Sequence, residues 1–266
     1  MILIVGNLLL LPPISLFERE EKEVVGFMAN ATSESKDIAY QKTHLLNELF
    51  SVRMEERRSE WIDTLLDNVA DALFAGGTPN VIISPDSFHY FQLTSPPVDQ
   101  PFDCYTINEL KDYLLQNGLG IAINAEKGVP DWVISYGQIV NYGFCNEFIS
   151  KDKYAHDFGQ EPISGKNNVM VGAPSDEFLP IYVRQNLKYY LESRYGLSNI
   201  KVMLKQAKVD DEFKPELLFN LQDENKFKQP AHQQEAYRSI LWFLPEHYPI
   251  AFVQDDFFKG GQYIQL

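Results

Sequence analysis

Two short apolar runs separated by turn residues stand near the middle of the chain. Gly120 to Asn124 and Trp132 to Tyr136 are rich in β-branched and aromatic side chains, and Ala125-Glu126-Lys127-Gly128-Val129-Pro130 lies between them. This pattern predicts a β-hairpin. Gly118 suits a left-handed helix cap, and Gly137 marks a turn from strand into a closing helix over Gln138 to Phe148. Upstream, Asp37 to Gly76 reads as helix in two pieces. In the second piece Trp61, Ile62, Leu65, Leu66, Val69, Leu73 and Phe74 recur at steps of three and four, with Arg57, Arg58, Glu60, Asp67 and Asp71 on the other face. Gly76-Gly77 is read as its end. Asn80 to Ser84 and Phe88 to Thr94 flank Pro85-Asp86-Ser87 and predict a first hairpin. Thr106 stands three residues before Glu109, the spacing of a capping box, and opens a helix to Gly118.

Residues from Ile149 to Asn168 mix Lys, Asp, Gly and Pro without periodicity, as a linker does. Beyond them, Val169 to Gly172 reads as a strand and Pro180 to Gly196 as a helix with Val183, Leu187, Tyr190 and Leu191 on one face. Ile200 to Val209 and Glu216 to Gln222 read as a strand pair, Ala231 to Leu244 as a helix stopped by Pro245, and Pro249 to Gln254 as a last strand. The order β-α-β-β-α-β predicts a ferredoxin-like split βαβ. The fold class expected is α+β with two α/β-type domains. Residues 1–36 are an extension, 37–148 an N-terminal domain of helices and two β-hairpins, 149–167 the linker, 168–256 the ferredoxin-like domain and 257–266 a tail. No internal repeat is legible.

Composition narrows the function classes. The chain has 266 residues, 45% of them hydrophobic, which is enough to bury a core. Its net charge is −14, from 37 acids against 23 bases. That balance repels nucleic acids and anionic membranes and favours a basic protein partner or plain solubility. Neither of the two cysteines belongs to a C-x-x-C, so no disulfide framework or zinc site is expected and the usage fits a reducing cytosol. The apolar run Met1 to Phe17 lacks a basic n-region and is broken by Pro12-Pro13, unlike a secretory leader. Met28-Ala29-Asn30 resembles a bacterial start, so residues 1–27 are expected to lie outside the fold.

Candidate chemistry is sparse. His89 alternates in facing with Phe88 and Tyr90, which is compatible with a core-edge residue. His156-Asp157 falls in the linker without further ligand spacing. His232 lies near a helix start and His247 in a Pro-Glu-His-Tyr-Pro turn. Cys104 and Cys145 have no basic neighbours and are expected to be buried free thiols. Asp210-Asp211-Glu212 is a charged hairpin tip, and Gly165-Lys166 lacks the first glycine of a phosphate loop. No catalytic, cofactor or metal residue is assigned. The aromatic hairpin arm offers one recognition face, formed by Asp131, Trp132, Tyr136 and Tyr142.

The helix around Trp61 to Phe74, the run Gly118-Leu119-Gly120-Ile121-Ala122-Ile123-Asn124, Val171-Gly172-Ala173-Pro174 and Leu244-Pro245 before Pro249-Ile250-Ala251-Phe252-Val253 resemble the enhanced serine sensitivity (SseB-like) family of bacteria. The resemblance covers most of Glu60 to Asp256. It implies a two-domain cytosolic protein without accepted catalytic residues. The function expected is therefore a non-catalytic binding or adaptor protein with a protein partner and no cofactor, nucleic acid or membrane. Two alternatives stay open: an acidic immunity-type inhibitor of a basic toxin, and a small-molecule enzyme with its site between the domains. Homodimerisation through a sheet edge is left open as well.

Overall fold

The computed structural model describes residues 33–96, 103–150, 169–209 and 212–266. The expectations for residues 1–27, His156-Asp157, Gly165-Lys166 and Asp210-Asp211, and nearly all of the linker, lie outside them. The fold is α+β, and no helix among the described residues is long and apolar enough to cross a membrane.

The first half opens with α1 (Ser33–Ser51) and α2 (Ser59–Asn68), followed by β1 (Phe74–Ile83), β2 (His89–Thr94) and β3 (Cys104–Tyr105). Then come α3 (Ile107–Asn117), β4 (Gly120–Ile123), β5 (Trp132–Ile134) and α4 (Tyr136–Cys145). The sheet order is β3-β1-β2-β4-β5, with β2 and β4 parallel and the other pairs antiparallel. Both predicted hairpins are present, and α3 supplies the crossover between the parallel strands. Its start carries the predicted capping box between Thr106 and Glu109, and its end the left-handed Gly118, φ 65°.

One boundary differs. α2 stops at Asn68, and Phe74 already belongs to β1, so Gly76-Gly77 lies inside a strand. The register shifts between Gly76 and Val81, and a Cβ on Gly77 would stand 2.3 Å from the Gln92 side chain. These glycines permit a bulge folded over Gln92. They do not end a helix.

The second half contains β6 (Val169–Gly172), α5 (Ile181–Tyr195), β7 (Lys201–Val209), β8 (Glu212–Phe219), α6 (Pro230–Phe243), β9 (Ile250–Phe252) and β10 (Ile264–Gln265). The element order is the expected one, but the topology is not a split βαβ. That motif would insert the first strand between the third and the fourth, antiparallel to both. Here β8 has β7 on one edge and, along Leu217–Phe219, β9 directly beside it and parallel on the other, so β6 does not lie between them. β6 pairs antiparallel with the outer edge of β7 instead. The tail also has a structural role: β10 pairs with β7, and Phe258 is buried with Met203 and Leu218 on the face of the sheet turned away from the main core.

One hydrophobic core runs through both halves, joining Leu114, Ile121 and Ile139 to Val183, Leu187 and Ile240. α3, α4, α5 and α6 meet in the middle as a helical layer. Burying both halves in one core offsets far more ordering entropy than either small sheet could alone.

Candidate functional site

The place where a small-molecule site was expected, between the halves, is filled by side chains. Three glycines let the halves approach closely. A Cβ on Gly120 would lie 2.9 Å from the Trp242 ring, one on Gly118 2.9 Å from Asn186 Cγ, and one on Gly137 2.0 Å from the Leu244 carbonyl oxygen. Aromatic rings occupy the remaining space. Phe88 stacks on Trp242 with centroids 4.2 Å apart and planes at 2°, and on Tyr190 at 5.3 Å. Tyr90 and Phe243 meet Trp242 edge-on.

Most polar atoms of this seam are partnered, the buried Tyr190 hydroxyl being an exception. Trp242 Nε1 donates to Tyr90 Oη (3.1 Å), which donates to Asp86 Oδ2 (2.9 Å). Tyr136 Oη donates to the Leu115 carbonyl (2.7 Å) and accepts from Asn186 Nδ2 (3.1 Å). Burial pushes the Tyr90 and Tyr136 hydroxyls well above the ordinary tyrosine range, so both stay neutral and serve as fixed donors.

The predicted recognition face is corrected by burial. Tyr136 is fully buried in the seam and Tyr142 is 7% exposed, stacked on Phe148 with its hydroxyl donating to Asn108 Oδ1. Both are enclosed because α4 is buried on every side from Tyr136 to Tyr142. Asp131 and Trp132 lie elsewhere, at the far end of the first sheet, so the four residues do not make one surface.

At that end Asp131 is held by its own chain. Arg57 Nη2 reaches its Oδ1 at 2.8 Å and Nη1 its carbonyl at 2.6 Å, while Lys127 Nζ reaches Oδ2 at 2.7 Å. Asn124, wholly buried with φ 57°, donates to Asp131 Oδ2 (2.8 Å) and accepts from the Ser95 amide (2.7 Å). The Arg57 guanidinium also lies 4.4 Å from the centre of the Trp61 ring, which packs 5.5 Å from Trp132. Burial pulls the Asp131 pKa upward, and the hydrogen bonds from Lys127, Arg57 and Asn124 outweigh it, leaving the carboxyl below its usual range.

The second sheet ends in a similar device. Asn220, 1% exposed, donates to Asp255 Oδ1 (2.8 Å), and Lys226 and Lys201 reach the same carboxylate at 2.6 and 3.3 Å. Hydrogen bonds from Asn220 and Lys226 bring the Asp255 pKa down to about 2. Beside it an open hollow of about 480 Å³ is lined by Gln222, Asp223, Glu224, Asn225, Gln233, Tyr237 and Gln254. Gln233 Nε2 and Tyr237 Oη are spent on the Leu221 carbonyl at its floor. Its two charged groups are both acids, so cationic groups suit it best.

The other candidates stay apart. His89 is half-buried, and burial lowers its pKa. Cys104 is half-buried, with burial and Glu109 raising its pKa, which leaves the thiol protonated. Cys145 is exposed, not buried as expected, because it ends α4 where the chain turns back to solvent. His232 stands in the first turn of α6, as expected, against the Tyr195 ring, and His247 packs edge-on to Tyr248. No group of three metal-ligating side chains occurs among the described residues.

Sequence reasoning missed Arg57, Asn124, Asn186 and Asn220. Asn124 carried a faint signal as a polar residue closing an apolar strand before a turn; the others are single polar residues whose partners lie far along the chain. Comparison of the chain with protein-family models, with curated proteins and with solved structures gives no match.

Proposed function

We propose that the chain is a non-catalytic protein-binding or adaptor protein of the bacterial cytosol, akin to the SseB-like proteins, with a positively charged protein as partner. The observation that carries this reading is the distribution of charge. Lys42, Arg57, Arg184, Lys201, Lys205 and Lys226 are folded back onto the chain's own carboxylates. Glu60, Asp63 and Asp67, by contrast, form an exposed row along α2, and Asp223 and Glu224 line the hollow. The chain's net charge of −14 is of the sign that steers a basic partner and raises its on-rate. The packed aromatic seam supports the same reading, since side chains fill the place an interdomain substrate would need.

A tagged pull-down from the native host at low and moderate salt tests the proposal. A stoichiometric basic protein, captured at low salt and lost as salt rises, is the expected result. If no protein is retained at either salt, the reading fails. An adjacent gene for a basic toxin would convert the adaptor reading into that of an immunity-type inhibitor.

A further inference from the structure

The seam between the halves repeats itself. α3 packs on α4 and α5, while α6 packs on α5 and α4. Exchanging α3 with α6, and α4 with α5, returns the same set of contacts. The strands obey the same exchange: β4 lies parallel to the second strand of hairpin β1–β2, and β9 parallel to the second strand of hairpin β7–β8.

The polar links follow suit. Asn186 on α5 donates to the Leu115 and Gln116 carbonyls at the end of α3, at 3.0 and 3.3 Å. Gln138 on α4 donates to Glu246 just past the end of α6, at 2.8 Å. Each link has a glycine at the point of closest approach, Gly118 against Asn186 and Gly137 against Leu244. β5, which pairs with the outer edge of β4, has no counterpart on β9 among the described residues. Chain order breaks the match as well, since α5 precedes its hairpin and α4 follows the strands it packs with. That difference in order is a circular permutation of one unit.

We infer that the helical seam is a dimer-type interface made within one chain, in which each half is the partner of the other. A contact set that repeats under a two-fold exchange is the form closed dimers take. Helices merely filling a shared core have no reason to pair their polar links in this way. The surface fits a second copy of the same α/β unit, and it is already satisfied in this chain, so an external partner must engage other faces.

The test uses the full chain with a protease recognition sequence placed within residues 151–168 and cut after purification. Light scattering on a sizing column should then show both fragments migrating as one particle with the mass of the uncut chain. Separation of the fragments, whether soluble or with one precipitating, overturns the inference. In the cut protein, Asn186→Ala and Glu246→Ala should each weaken association by about tenfold or more, as central interface contacts do, and by comparable factors. A large loss from one with no change from the other removes the two-fold relation.

Discussion

Gly137 and Leu244 meet backbone to backbone: a side chain beginning at Gly137 would place its first carbon 2.0 Å from the Leu244 carbonyl oxygen. The contact joins the first turn of α4 to the residue that ends α6. Alanine is the better helix former by about 1 kcal/mol, yet here it must push the two halves apart. Gly137→Ala should therefore destabilise the fold by about 1–3 kcal/mol, the usual cost of overpacking. Urea unfolding followed by circular dichroism reads this, and a stabilised variant would contradict the close approach.

Phe88→Ala removes the ring stacked between Trp242 and Tyr190. Phe88 is 9% exposed, so the loss should approach the cost of about 3–5 kcal/mol for emptying a buried aromatic position. Because the ring belongs to both halves, unfolding should stay a single transition in equilibrium denaturation. Two separated transitions would show that the seam does not couple the halves.

Arg57 and Asp131 are nearly buried, with side chains 9% and 12% exposed. Asp131→Asn leaves the guanidinium without its counter-charge and should cost about 3–5 kcal/mol, as breaking one member of a buried pair does. Lys127 is half exposed, and Lys127→Ala should cost less than about 1 kcal/mol. A double-mutant cycle over Arg57 and Asp131 checks the assignment, because the paired variant should lose less than the sum of the singles.

Asp255 governs part of the acid limb of stability. Its pKa is about 2 in the folded chain against about 3.9 in an unfolded one. The stabilisation is thus complete above about pH 4 and disappears as pH falls through the folded value. Asp255→Asn should flatten the stability profile between about pH 4 and pH 2 while leaving its shape above pH 5 unchanged. An unchanged acid limb would mean that Lys201 and Lys226 do not hold the carboxylate in solution.

Much of the fold was legible in the sequence, for local reasons. The Thr106–Glu109 capping box, the Gly118 and Gly196 caps and both first-half hairpins rest on contacts within a few residues, which periodicity and turn chemistry report directly. What escaped was set at long range. The string of elements around β6 fits two topologies, and only the pairing of β8 with β9 decides between them. Gly137 does stand where strand gives way to helix, as read, but its close contact with Leu244, 107 positions further on, carried no signal in the sequence. Tyr136 and Tyr142 looked like recognition residues because aromatic side chains suit interfaces. They do line one, but it closes inside the molecule or in the core beside it. The repetition of the two halves was hidden for a related reason, since a permuted order of helices leaves no periodic signal in the sequence.

The short strand β4 also separates the chain's three indoles. Trp242 lies over Gly120 at its beginning, while Trp132 pairs with Ile123 at its end and packs on Trp61. Intrinsic fluorescence therefore carries two spatially distinct signals. A chain keeping Trp242 alone would emit from the junction of the halves, and one keeping Trp61 and Trp132 would emit from beside the Arg57 ion pair. The molecule can thus be watched at both places without an attached dye, and a bound partner can be located by which of the two colours it shifts.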